Sequence, residues 1–178
     1  QNDVLFDSKK DSTTKKIFAD EVTAFIVVTN RASVASFSLI VDLDQALTVN
    51  IQSTKVTLIH EAPAGNDSQI HFSIEPGVPV VVAARAGSDP QNILIMVNGE
   101  FRTVYIQKTG TPVNFSFLEN SIDLKNVQEA LIIKRPMEPG EINVLSRSIA
   151  STYGITTKTS PGMPDYLTWS MESALFPE

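Results

Sequence analysis

The chain has 178 residues, 42% of them hydrophobic and 19% charged, and 14 Lys and Arg against 20 Asp and Glu leave a formal net charge of −6. That is enough length and apolar content for one domain with a real core, and too apolar for a disordered chain. The acidic balance speaks against nucleic acid as a partner, since phosphates call for a basic face. The absence of cysteine removes disulfides, thiol nucleophiles and thiolate metal sites. No apolar run approaches the roughly 18 residues of a membrane helix, so membrane insertion is not expected. The chain opens on Gln1-Asn2-Asp3 rather than methionine, the pattern that signal cleavage leaves, and a secreted or cell-surface location is the expectation.

Residues 1–20 are polar and lysine-rich, with Val4, Leu5 and Phe6, then Ile17 and Phe18, as their apolar content. They read as an N-terminal arm. From Val22 the character changes to β-branched and aromatic. Val34–Leu43 places Phe37, Leu39 and Val41 on one face, and Leu47, Val49 and Ile51 alternate with Thr48 and Asn50. Val56 and Leu58 then oppose Thr57 and Ile59, and Ile70, Phe72 and Ile74 oppose His71 and Ser73. Period-two alternation of this kind is the strand signature.

Glu75-Pro76-Gly77 is a turn signal, and Val78–Ala84 follows as a continuous apolar run of the buried-strand type. Ile93, Ile95 and Val97 lead into Asn98-Gly99, a dipeptide that tolerates positive φ at both positions and so predicts a two-residue hairpin. The return strand runs from Phe101 to Gln107, and Val113, Phe115 and Phe117 begin another. Residues 120–135 mix helix formers at Gln128–Leu131 with the strand-like Leu131-Ile132-Ile133. Glu138-Pro139-Gly140 reads as a turn, and Ile142, Val144, Ser146, Ser148 and Ala150 as the face of one more strand.

About ten strands at this spacing, with no room for repeated crossover helices, predict an all-β antiparallel sandwich of the jelly-roll or immunoglobulin-like kind. The expected organisation is an arm over 1–20, the sandwich over 21–160, and a tail over 161–178 behind the hinge Pro161-Gly162-Met163-Pro164. In the tail, Leu167, Trp169, Met171 and Leu175 share the odd positions. That spacing suits a strand, and it also fits a short helix capped by Asp165.

No motif names a reaction. There is no Gly-x-Ser-x-Gly turn, P-loop or dinucleotide fingerprint, so the expectation is a non-enzyme without cofactor. His60 and His71 lie near the facing ends of neighbouring strands, and Asp42 and Asp44 share a strand face. For both pairs the favoured reading is solvated strand surface rather than a metal site. Asn66-Asp67-Ser68 and Asn114-Phe115-Ser116 are acceptor sequons for N-glycosylation at Asn66 and Asn114.

Two functions follow. The first is a structural subunit of an extracellular filament, tube or shell. Copies of the chain would join by terminal strand exchange, with Val4, Leu5, Phe6, Ile17, Phe18, Leu167, Trp169, Met171 and Leu175 filling a neighbour's sheet edge. The alternative is a secreted carbohydrate-binding or adhesion module, with Tyr105, Tyr153, Tyr166 and Trp169 as the aromatic candidates for contact with a glycan.

Overall fold

The structure is a computed structural model. It describes residues 4–10, 16–18, 21–28, 35–42, 45–61, 68–86, 92–105, 114–116 and 127–157. Among them are twelve strands and one helix: β1 (Val4–Asp7), β2 (Lys16–Phe18), β3 (Val22–Val28), β4 (Ala35–Asp42), β5 (Gln45–Ile51), β6 (Lys55–Glu61), β7 (Ser68–Ser73), β8 (Val80–Ala86), β9 (Asn92–Val97), β10 (Glu100–Tyr105), β11 (Asn114–Ser116), β12 (Val127–Ile133) and α1 (Pro139–Tyr153). They form two six-stranded sheets, one ordered β1-β12-β3-β8-β9-β10 and the other β2-β11-β4-β5-β6-β7. Every strand pairing is antiparallel. The expected all-β antiparallel sandwich is therefore the fold, with one helix added.

The first sheet is sandwiched on both sides, and its sequence shows why. In β3, the even positions Val22, Ala24, Ile26 and Val28 join Val49, Ile51, Val56, Leu58 and Phe72 of the second sheet in the core between the sheets. The odd positions Phe25 and Val27 join Val81, Ala83, Leu94 and Met96 in a second core beneath α1, which supplies Ile142, Ile149 and Ala150. A strand covered on both faces needs no polar alternation, so Val-Thr-Ala-Phe-Ile-Val-Val and Val-Val-Val-Ala-Ala-Arg-Ala are buried throughout. Ala83 keeps the helix-facing side of β8 low where α1 packs, while Ala84 and Ala86 face the core between the sheets.

The helix corrects the strand expected over Ile142–Ala150. Its buried residues include Ile142, Asn143, Ser146, Ile149 and Ala150, which recur at three and four residues and not at two. Pro139 stands at its first turn, where the missing N–H costs nothing. The Glu138 amide donates to Glu141 Oε1 at 3.0 Å, so Glu138-Pro139-Gly140-Glu141 is a helix start rather than a free turn. Gly154, at φ 68°, closes the other end, with the Ile155 amide donating to the Ala150 carbonyl at 2.8 Å.

The connection from β12 to α1 is pinned to the sheet. The buried Thr23 hydroxyl donates to the Arg135 carbonyl at 2.6 Å and accepts from the Met137 amide at 2.9 Å. Arg85 Nη1 donates to the Met137 carbonyl at 3.2 Å. These bonds satisfy backbone groups that would otherwise be stranded under the helix.

Candidate functional site

The segments assigned by sequence to assembly take other places where they are described. Val4, Leu5 and Phe6 were expected to reach a neighbouring subunit, yet they form β1, which pairs with β12 of the same chain and sets Phe6 opposite Ile132. Phe6 is 2% exposed, a core residue, while Val4 stands 41% exposed at the strand's start. Ile17 and Phe18 belong to β2, which pairs with β11 through Phe115 and Asn114. β1 and β2 thus stand at the edges of this chain's own two sheets. Leu167, Trp169, Met171 and Leu175 lie outside the described residues, as does the sequon at Asn66. Asn114, the other sequon, sits in β11 between β2 and β4.

The aromatic and metal candidates separate in the same way. Tyr153 is a half-buried part of the helix-side core, and its hydroxyl donates to Glu129 Oε1 at 2.7 Å. Burial first, then the hydrogen bond and charge of Glu129, push its pKa from 10.0 up to about 12. Tyr153 is thus a clip between α1 and β12, not an open platform for a sugar. Tyr105 ends β10, and Tyr166 and Trp169 lie outside the described residues. His71 pairs with Thr57 across β6 and β7 while His60 pairs with Ser68. Thr57 and His60 are three residues apart on one strand, so the two histidines fall on opposite faces of the sheet. His71 Nδ1 lies 3.1 Å from Thr57 Oγ1. Asp42 closes β4 opposite Gln45, and Asp44 is outside the described residues.

The site that sequence reasoning missed is a cleft of about 480 Å³ at one end of the sandwich. It opens where three connections meet: the β7–β8 crossover, the β9–β10 hairpin and the end of α1. The crossover contributes Ser73, Ile74, Glu75, Val78 and Pro79, the hairpin contributes Asn98, and the chain after the helix contributes Gly154, Ile155 and Thr156. The volume falls within the ~300–1,000 Å³ usual for small-ligand sites.

Each wall is held by its own local structure. Gly77 takes φ 79° in the crossover, and the Ile74 amide donates to the Thr54 carbonyl at 3.0 Å, tying the crossover to the β5–β6 turn. In the hairpin, Val97 pairs with Glu100, and Asn98 and Gly99 take φ 49° and 91°, the two-residue turn the sequence predicted. The Asn98 amide donates to the Val81 carbonyl at 2.9 Å, and the Val81 amide donates back to Asn98 Oδ1 at 3.0 Å. The Asn98 side chain is therefore fixed through its oxygen. Ile155 is buried in the helix-side core and carries Thr156 to the rim.

Chemically the cleft offers two hydroxyls, one amide and one carboxylate between apolar walls of Ile74, Val78, Pro79 and Ile155. Glu75 is the one ionisable group among the described lining residues. The exposed Lys55 pairs with Ser73 across β6 and β7. Such a set can hold a polar ligand by hydrogen bonds. Among the described lining residues there is one carboxylate and no histidine.

No signal for this site was available from spacing, because its residues come from three segments up to 83 positions apart, from Ser73 to Thr156. The Asn98-Gly99 hairpin and the Glu75-Pro76-Gly77 turn were each legible, but not their meeting.

No protein-family model matches the chain, and no curated protein sequence does. Solved structures resemble it at low identity. A receptor-binding domain matches at 17% identity and a TM-score of 0.45 over 72% of this chain, which spans only 35% of that domain's length. The heptameric SAP-like pentraxin from Limulus polyphemus matches at 12% identity and a TM-score of 0.46, over 76% of this chain and 72% of that one. The CBM40 of the Ruminococcus gnavus IT-sialidase, solved with α2,3-sialyllactose, matches at 13% identity and a TM-score of 0.47, over 70% of this chain and 82% of that one. Likeness this distant transfers neither ligand nor partner, and the sandwich architecture rests on the strand pairings themselves.

Proposed function

We propose that this chain is a ligand-recognition module that takes a hydroxyl-rich ligand of the carbohydrate class into the cleft at the end of the sandwich, without transforming it. The observation that carries this reading is the convergence of Ser73, Asn98 and Thr156 between apolar walls on three braced connections. Uncharged donors and acceptors of this kind match sugar hydroxyls, which both donate and accept. Rigid connections reduce the ordering cost of binding. The setting is secreted or cell-surface. No helix among the described residues is long and apolar enough to cross a membrane.

Assembly through exchanged terminal segments is the weaker reading, because β1 and β2 pair within their own chain. Screening the chain on a glycan array tests the proposal. Binding to a defined set of glycans, weakened at least tenfold by Asn98→Ala or by Ser73→Ala with Thr156→Ala, supports it. An array silent across all glycans, with folded protein, overturns it.

A further inference from the structure

One edge of the sandwich lacks the protection that the other edges carry. We infer that β7 is a pairing edge and that its occupant is β7 of a second copy of this chain, joined antiparallel about a two-fold axis at His71. The inference is independent of what the cleft binds.

Among the described strands, β1 and β10 end one sheet and β2 and β7 end the other. Three of these edges are guarded. β1 is interrupted by a register shift between Val4 and Phe6. β2 has three residues, one of them Lys16. β10 carries Glu100 and Arg102, paired at 2.8 Å, with the Arg102 guanidinium 5.8 Å from the centre of the Phe72 ring. Bulges, short strands and charges are the devices that keep an edge from pairing. β7 has none of them. Its sequence, Ser-Gln-Ile-His-Phe-Ser, holds no Lys, Arg, Asp, Glu, Pro or Gly, and its register with β6 runs unbroken from Lys55 opposite Ser73 to His60 opposite Ser68.

The phase of the hydrogen bonds says which backbone groups this edge offers. The Gln52 amide donates to the Lys55 carbonyl at 2.9 Å, so β6 turns its odd residues toward β5, and the Ile74 amide donates to the Thr54 carbonyl at 3.0 Å. Bonding direction alternates along an antiparallel strand. Ile70 and Phe72 therefore bond to β6, and Gln69, His71 and Ser73 aim their N–H and C=O groups away from it. The side chains of these three residues are exposed.

The edge is its own complement. With His71 opposite His71 of the second copy, Gln69 faces Ser73 and Ser73 faces Gln69, and each pair exchanges two backbone hydrogen bonds. A shift of two residues either way leaves Ser73 or Gln69 opposite a residue beyond β7. On the inner face the same register sets Ile70 opposite Phe72 of the second copy, an aromatic–β-branched pair of the kind that stabilises sheets. Copies of net charge −6 repel one another at large, and a strand without a carboxylate is where they can approach. Gln69 of the second copy then stands beside Ser73, at the rim of the cleft. One strand pair buries far less than the ~1,600 Å² of a standard interface, so its Kd is on the order of 1 mM. The chain is a monomer at the micromolar concentrations of unfolding measurements, and it pairs where copies are held at millimolar effective concentration, as on a shared surface.

The experiment uses the chain's lack of cysteine. Opposite residues of a hydrogen-bonded pair stand ~5.5 Å apart at Cα, within reach of a disulfide. Under mild oxidation, His71→Cys is expected to give covalent dimer at least tenfold faster than Gln69→Cys, whose two copies lie roughly 13 Å apart along the strand, or Thr103→Cys on the β10 edge. Sedimentation equilibrium of the wild type at millimolar concentration is expected to give a mass above that of one chain. His71→Lys sets like charges directly opposite and returns it to one chain, with the wild-type melt kept at micromolar concentration. Equal crosslinking at the three positions overturns the inference, as does a wild type that stays single at millimolar concentration or a dimer that His71→Lys leaves intact.

Discussion

If β1 belongs to its own chain's sandwich, Phe6→Ala is a core mutation and not an interface mutation. Phe6 is 2% exposed and packs in the inter-sheet core with Ile132, Ala130 and the facing strands. Truncating a buried Phe to Ala typically costs about 3–5 kcal/mol, the sum of lost transfer energy and the cavity left behind. β1 is a four-residue edge strand, which can settle inward, so the lower end, about 3 kcal/mol, is the working figure. The strand does not simply detach, because its pairing continues past Asp7. The Ser8 amide donates to the Ala130 carbonyl at 2.9 Å, and the Ala130 amide donates to Ser8 Oγ at 2.8 Å. A loss of about 3 kcal/mol is a large share of a typical domain's 5–15 kcal/mol. Val4→Ala, at a 41% exposed position, is the control and costs under about 0.5 kcal/mol. The assay is urea unfolding of each variant at two protein concentrations a hundredfold apart. A strand supplied by a neighbour makes the midpoint rise with concentration, whereas an intramolecular strand leaves it fixed. Phe6→Ala unfolding with the wild type, or midpoints that move with concentration, refutes the reasoning.

Gly99→Val is expected to lower stability by about 1–3 kcal/mol, because Gly99 sits at φ 91°, where a β-branched residue is strained; thermal melting checks it. Tyr153 holds its proton more tightly folded than unfolded, with a pKa of about 12 against 10.0. Its contribution is therefore complete below pH 10 and is lost as pH climbs through 12. Chemical denaturation from pH 9 to 12 should show a steeper decline for wild type than for Tyr153→Phe, and parallel curves would contradict the clip. At neutral pH the same variant loses about 1 kcal/mol, since Glu129 keeps its 3.6 Å ion pair with Lys9.

The parts of this architecture that sequence made legible are those whose cause is local. Thr48 and Thr57 alternate with Val49, Val56 and Leu58 because the second sheet has one face toward the core, and that alternation survives in the chain as written. Asn98-Gly99 announces its turn because few other dipeptides tolerate its backbone. The helix was hidden for a physical reason. Ile142, Val144, Ser146, Ser148 and Ala150 are two apart and small or apolar, so they imitate a strand face, while the helical face includes Asn143 and Ser146. A polar residue can sit there because Ser146 Oγ donates to the Asn143 carbonyl at 3.0 Å, which no hydrophobic pattern reveals. The Pro139–Glu141 start signal was the better guide. β1 escaped notice because a single buried Phe6 among lysines and aspartates looks like an arm. Its burial depends on β12, more than a hundred residues away. The cleft escaped for the same reason on a larger scale, since only the fold brings Ser73, Asn98 and Thr156 together.

The central claim is that the cleft is where this chain meets its ligand. Amide hydrogen–deuterium exchange, with and without the tightest-binding oligosaccharide, tests it most directly. Protection is expected at the backbone of residues 73–78, 98–99 and 154–156, with the outer face of β5 to β7 around Thr48, Thr57 and His71 unchanged. Protection centred on that outer face, or on the β10 edge around Arg102, with the cleft unaltered, would contradict the account.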